Sequence, residues 1–180
     1  MEKPDFVHLH LHSEYSLSDG IIRIKELVSR ASSLQYSAVG LTDLTNLFGL
    51  LEFYSSSREK GIKPIVGAEV NVIKDKDSLP APIVLLVKNR QGYINLTKIV
   101  SKAYVDGQVN GEPMVELSLL KKYSEGLIAL SGGMEGHVGQ SILAGNIPLT
   151  ESRIKFFKSI FDEDFFIEVH RLGKTNEEEY

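Results

Sequence analysis

The sequence predicts an α/β fold built on a mainly parallel sheet. Three observations carry that expectation. Strand-like and helix-like patterns alternate along most of the 180 residues, the order that parallel strands with crossover helices require. Hydrophobic residues make up 42% and charged residues 24%, a folded-domain mix that excludes a disordered tail, a collagen-like fibre and a coiled coil. The polar residues His12, Asp43, Glu69, Ser131 and Glu168 fall at or near the C-terminal ends of predicted strands. An open doubly wound sheet and a closed barrel both place their ligands there, and the pattern leaves the two architectures open.

The elements follow in order. Phe6 to His12 alternates and predicts a strand. Ile24, Leu27, Val28, Ala31 and Leu34 recur at helical spacing. Ser37 to Leu41 is a short apolar run that ends in Thr42-Asp43. Asn46 is placed to cap a helix with Leu47, Leu50, Leu51 and Tyr54 on its inner face. Pro64 to Ile73 predicts a strand, Lys74 to Asp77 a turn, and Ile83 to Val87 a strand buried on both faces. Tyr93, Leu96, Val100 and Ala103 mark a helix, and Gly107 to Pro113 a loop. A short helix at Leu117 to Tyr123 precedes a strand at Leu127 to Leu130. Gly132-Gly133 predicts a turn before a helix near Val138 to Leu143. Thr150 is placed to cap a helix facing inward with Ile154, Phe157, Ile160 and Phe161. Phe165 to Val169 predicts a last strand, followed by a polar stretch from Lys174 to Tyr180.

Composition narrows the functions. Twenty Lys and Arg stand against 24 Asp and Glu, a net charge of −4. A chain that grips a phosphate backbone relies on basic residues, so this one is not expected to be a main DNA grip. The absence of cysteine excludes a disulfide scaffold, a thiol nucleophile and a Cys-based metal site. No apolar run approaches the ~20 residues that span a bilayer, and no signal-peptide core follows the N-terminus. A soluble, cytoplasmic protein without a membrane partner is expected.

His8, His10 and His12 form the strongest local signal. Strand periodicity puts them on one face, where imidazoles and a nearby carboxylate suit Zn, Mn or Fe. Asp19, Asp43 and Glu69 are the candidate carboxylates. The alternative is three packed, hydrogen-bonded histidines. Asp19-Gly20 also suits a turn, Thr42-Asp43 a helix cap, and Glu69 and Glu168 an edge strand facing water. Ser131-Gly132-Gly133 lacks the lysine and spacing of a P-loop and reads as a tight turn. Lys88-Asn89-Arg90, Lys98, Lys102 and Lys121-Lys122 read as solvated helix faces. Phe156-Phe157 and Phe165-Phe166 read as core pairs with one member of each left at a surface.

Several blocks taken together resemble a known family. The stretch from Phe6 to Gly20, the segment Ala38 to Asp43 with Asn46 to Leu50, and the run Gly61 to Glu69 come first. Asn89, Gly92-Tyr93, Asn95-Leu96 and Ser101 to Tyr104 follow, then Gly126 to Gly133. In this order they resemble the polymerase-and-histidinol-phosphatase (PHP) domain of bacterial DNA polymerase III α subunits, over Phe6 to Tyr180.

The resemblance implies a PHP-type distorted (β/α)7 TIM-like barrel with a metal site at the strand rim. It implies that residues 1–180 are the N-terminal part of that domain, with the barrel-closing elements and an Asp-x-His metal pair absent. It implies no polymerase catalytic residue in this chain. His10, His12 and Asp19 match the family's first metal-binding block, and Glu69 its third-block acid. Asp43 and Glu168 are candidate rim residues. Leu44 stands where the family has a histidine, Pro82 near another, and Gly133 where a cysteine is frequent. A degenerate site follows, with no tightly bound cofactor and at most one weak Zn or Mn. This is the proteobacterial pattern, in which the domain supports the polymerase in DNA replication and docks a separate proofreading exonuclease subunit. The partners so implied are that exonuclease, the remainder of the α subunit and, indirectly, DNA. The alternative is a metal-dependent phosphoesterase or 3′–5′ exonuclease. The polymerase-type blocks argue against a stand-alone small-molecule phosphatase.

Overall fold

A computed structural model describes residues 6–74, 78–171, 173 and 177. The chain divides into two compact units, Met1–Glu69 and Val70–Tyr180.

In the first unit, helix α1 (Ile24–Ser33) buries Ile24, Val28 and Ala31. Strand β1 (Ala38–Leu41) is buried throughout. It pairs in parallel with the first part of β2 (Lys63–Ile73), from Ala38 opposite Lys63 to Leu41 opposite Val66. Helix α2 (Leu50–Glu59) lies between them in sequence. Ile24, Val28, Ala31, Val39, Leu41, Phe53 and Ile62 form one core, with Leu11, Tyr15, Leu27 and Tyr36 packed against it.

Two expectations change here. Asn46 does not cap α2: the helix starts after Gly49 without a side-chain cap. The Asn46 carboxamide instead donates to the carbonyls of Tyr15 and Leu44 and accepts from the Phe48 N–H. The inner face of α2 is Phe53 and Ser57, while Leu51 and Tyr54 are exposed. The segment Phe6 to His12 is not a regular strand. It runs beside β1, with Gly40 N–H donating to the His8 carbonyl and Thr42 N–H to the Leu11 carbonyl. The Thr42 hydroxyl accepts from Leu11 N–H, so a side chain takes the place of a backbone ladder partner.

The second unit contains the end of β2, where Val72 and Ile73 pair in parallel with β6 (Val115–Glu116). Strand β3 (Ala81–Val87) is buried at Ala81 and from Ile83 to Leu86, as expected. It runs antiparallel to β7 (Leu127–Leu130), which pairs in parallel with β8 (Phe165–Phe166). The sheet is thus more mixed than expected, because alternation carries no information on strand direction. Helix α3 (Arg90–Val105) is capped by Asn89, whose side chain accepts from Gly92 N–H. A Cβ at Gly92 would lie 1.8 Å from the Gly126 carbonyl oxygen, so only glycine allows this approach.

Residues 107–113 are more than a loop. Strands β4 (Gln108–Val109) and β5 (Glu112–Pro113) form a hairpin closed by Asn110-Gly111. Both turn residues have positive φ, the signature of a primed turn. Helix α4 spans Leu117–Lys122, and a short 3-10 helix at Gly133–Glu135 precedes α5 (His137–Leu143). Helix α6 (Ile147–Phe161) begins three residues before Thr150. Asn146 caps it by accepting from Leu149 N–H, and the Thr150 hydroxyl donates back to the Asn146 carbonyl. The last expected strand shortens to β8, since residues 167–170 pair in no ladder. Phe157 and Phe165 are buried and stack 5.3 Å apart, while Phe156 and Phe166 are exposed. The expected turn at Lys74 to Asp77 is described only at Lys74, and most of Lys174 to Tyr180 lies outside the described residues.

Candidate metal centre

Glu69 lies inside β2 rather than at its end. Its backbone is held on both sides by the segment after β1. Glu69 N–H donates to the Thr42 carbonyl, and Thr45 N–H donates to the Glu69 carbonyl at 2.7 Å. Leu44 and Glu69 form a parallel bridge. Thr45 is buried and has a φ of 48°, an outlying conformation for a β-branched residue. Its hydroxyl has no hydrogen-bond partner among the described residues. The carboxylate of Glu69 reaches the segment that carries the histidines.

There it meets two of them. His10 Nε2 lies 2.7 Å from Glu69 Oε2, and His12 Nε2 lies 3.7 Å from the same oxygen. The two imidazole rings are 5.4 Å apart. One ligand atom from each of His10, His12 and Glu69 lies within 4.8 Å of the others. Ligands at about 2.0–2.2 Å from a tetrahedral ion sit about 3.4 Å apart, and the two separations from Glu69 Oε2 fall on either side of that value. His12 Nε2 is buried and has no hydrogen-bond partner among the described residues. Such a lone pair suits a metal, so these three residues fit one ion.

The remaining candidates fall elsewhere. His8 stacks edge-on against Phe6 and Tyr36 rather than joining Glu69. Asp19 is largely exposed, and its Oδ2 lies 2.9 Å from His12 Nδ1, the ring nitrogen remote from Glu69. Asp43, two residues past the end of β1, is 2% exposed and caps no helix. It accepts from Ser13 N–H at 2.6 Å, from the Ser13 hydroxyl at 2.8 Å and from the Ser16 hydroxyl at 2.7 Å. The Ser16 oxygen accepts in turn from Leu44 N–H. This network fixes the His12–Asp19 loop to the end of β1. Ser13 and Ser16 were not legible as site supports, because an exposed polar loop has the same composition.

In the second unit, Glu168 Oε1 lies 2.8 Å from His170 Nε2, and Glu168 N–H donates to the buried Ser131 hydroxyl. Gly133 has a φ of 59°, and a Cβ there would lie 2.9 Å from the His170 ring. A side chain at position 133 would have to displace that imidazole. Pro82 lies in β3 with its carbonyl oxygen 2.2 Å from where a Gly132 Cβ would be. Lys88 pairs with Asp164, and Lys98 and Lys122 each stand 5.5 Å from the Tyr123 ring centroid.

Residues 8–172 match the family model described as the PHP domain. The chain belongs to the PHP domain family. The α/β class and the order of the sequence blocks agree with that membership. This PHP chain is 43% identical over 182 residues to DNA polymerase III subunit alpha of Escherichia coli K12, covering 100% of the chain and 16% of the relative. The corresponding subunit of Vibrio cholerae is 41% identical with the same coverage. That of Pseudomonas aeruginosa is 39% identical, covering 97% of the chain and 15% of the relative. The PHP chain therefore spans about one-sixth of the length of these relatives. Among solved structures, an amidohydrolase from Chromobacterium violaceum with bound sulfate and no metal is 26% identical. It covers 55% of this chain and 33% of that one, with a TM-score of 0.45.

Proposed function

We propose that this PHP domain is a segment of a replicative DNA polymerase III α subunit. It supports the polymerase and docks the proofreading exonuclease subunit in the cytoplasm. The observation that supports this reading is the alignment of the whole chain with DNA polymerase III subunit alpha at 41–43% identity. The site retains His10, His12 and Glu69 as candidate ligands and carries Leu44 bridged to Glu69. Three ligands from a chain that lacks cysteine suit one weakly held Zn or Mn. Such an ion would polarise a phosphoryl oxygen or acidify a water. The protein's own part is to aim His12 Nε2 and the Glu69 carboxylate at one point and to shield them from solvent.

A second reading has its own support. The convergence of His10, His12 and Glu69 favours a metal-dependent phosphoesterase or 3′–5′ exonuclease. One substitution separates the two. In the complete subunit, His12→Ala is expected to leave primer extension nearly unchanged, measured beside its thermal unfolding. A large loss of extension without loss of stability would sink the supporting role. Manganese-dependent removal of 3′ nucleotides, lost in the same variant, would favour the second reading.

A further inference from the structure

We infer that helices α3 and α4 present a binding surface for single-stranded nucleic acid, on which lysine and arginine hold phosphates and exposed tyrosines stack on bases. The surface lies within the second unit and shares no residue with the metal centre, so it stands independently of that reading.

The first observation is a segregation of charge. The chain as a whole is acidic, with 24 Asp and Glu against 20 Lys and Arg. Yet α3 and α4 carry Arg90, Lys98, Lys102, Lys121 and Lys122 and no acidic residue. Lys102 pairs with Asp106, just past the end of α3, at 3.3 Å. The other four basic residues are exposed and have no ion pair among the described residues. Such cations can exchange their counterions for phosphates, and that exchange supplies most of the affinity for a nucleic-acid backbone.

The second observation is that the fold joins two distant runs of sequence. Lys98 Nζ and Lys122 Nζ each stand 5.5 Å from the centre of the Tyr123 ring, within range of a cation–π contact. The two ammonium groups therefore lie within twice that distance of each other and repel. An anion shared by both removes that repulsion. Two separately solvated helix faces, the reading that the sequence alone gives these lysines, would not bring them to one ring.

The aromatic residues favour a single strand over other anions. Helix α3 buries Gly92, Asn95, Leu96, Ile99 and Ala103. It turns Tyr93 and Tyr104 outward, 42% and 40% exposed, about three turns apart with Lys98 between them in the helix. A single strand uses both features, because its bases stack on aromatic rings while its phosphates meet the cations. An acidic peptide would engage the cations and leave the rings in water. A duplex keeps its base faces stacked on one another.

The test is fluorescence anisotropy of labelled oligothymidylate and oligouridylate with the full 180-residue chain, over a range of salt. Binding is expected, with affinity falling as salt rises. Tighter binding of either strand supports the inference and identifies its source as DNA or RNA. Lys98→Glu combined with Lys122→Glu is expected to weaken binding about tenfold and to flatten the salt dependence. Tyr93→Ala combined with Tyr104→Ala is expected to weaken it about tenfold with the salt dependence unchanged. Lys60→Glu combined with Lys63→Glu makes the same charge change at exposed positions of the first unit and should leave binding nearly unchanged. Thermal unfolding checks each variant. If the first pair fails to fold, Arg90→Gln combined with Lys121→Gln replaces it, with a loss of severalfold expected. No binding by the folded wild-type chain would overturn the inference. So would an equal loss in the Lys60 and Lys63 control. Tyrosine variants that bind as wild type, with polyglutamate competing as well as the oligonucleotide, would overturn it in favour of an acidic peptide.

Discussion

Asp43 gathers three hydrogen bonds, two from Ser13 and one from Ser16, in a place almost closed to solvent. No cation faces it in these contacts, and the donors are a backbone amide and two hydroxyls. Removing the carboxylate would leave all three donors without their acceptor. Asp43→Ala is expected to lower stability by about 3 kcal/mol, since each buried unsatisfied group costs about 1–3 kcal/mol and part of the loop can reach water. Asp43→Asn keeps one acceptor oxygen and should lose less. Urea unfolding of the three proteins checks the order, and equal midpoints would contradict it. Thr45 belongs to the same scale. Its left-handed backbone is held by Glu69 on one side and by the Asn46 and Ser16 bonds to Leu44 on the other. Strain of this kind persists where the surroundings over-determine it.

At the scale of elements, the patterns placed the helices correctly in sequence but misjudged the start of α6 and the inner face of α2. Thr150 looked like a cap because it precedes an amphipathic stretch, yet the helix starts at Ile147 with Asn146 as its cap. Pro148 in the first turn is compatible with that start, since its missing N–H is not needed there. Asn146→Ala is expected to cost about 1 kcal/mol, while Asn146→Asp should cost little. Denaturant midpoints at one pH separate the two, and an unaffected Ala variant would deny the cap. The Asn110-Gly111 hairpin reads only as a loop in the sequence, because two-residue strands on each side are too short to show alternation. For α2, Leu51 and Tyr54 suggested the inner face by their apolar character. Phe53 took it instead, because the core of Ile24, Val28, Leu41 and Ile62 lies on that side.

For the whole molecule, His137 links α5 to other elements of the second unit. Its Nε2–H donates to the Val72 carbonyl at 3.2 Å, its ring stacks on Phe157, and Arg153 donates to its carbonyl. Burial, and then the Arg153 guanidinium, push the imidazole below its ordinary value of 6.5, against the pull of the Val72 hydrogen bond. The unfolded chain therefore takes up a proton at a pH where the folded chain still resists it. Stability from this group is present above about pH 6.5 and is lost as the pH falls toward the lower folded value. Wild type is expected to lose more stability between neutral and mildly acidic pH than His137→Gln. Urea midpoints across that range test the difference, and parallel curves would rule it out.

The ordered blocks were enough to place the chain in the PHP domain family, because motif order is a property of the linear sequence. The alternation of strands and helices, the apolar runs of β2 and β3, and the pairing of one buried with one exposed phenylalanine were also written there, since they follow from local periodicity and hydrophobicity. Strand direction in the β3–β7 pair, the contacts of Asp43 and the different partners of Asp19 and Glu69 were not. Each depends on which residues distant in sequence meet in space. Asp19 and Glu69 are both carboxylates near histidines in the sequence pattern. Only the fold puts one against His12 Nδ1 and the other against His10 Nε2, and a hydrogen bond acts over ångströms that sequence spacing does not encode.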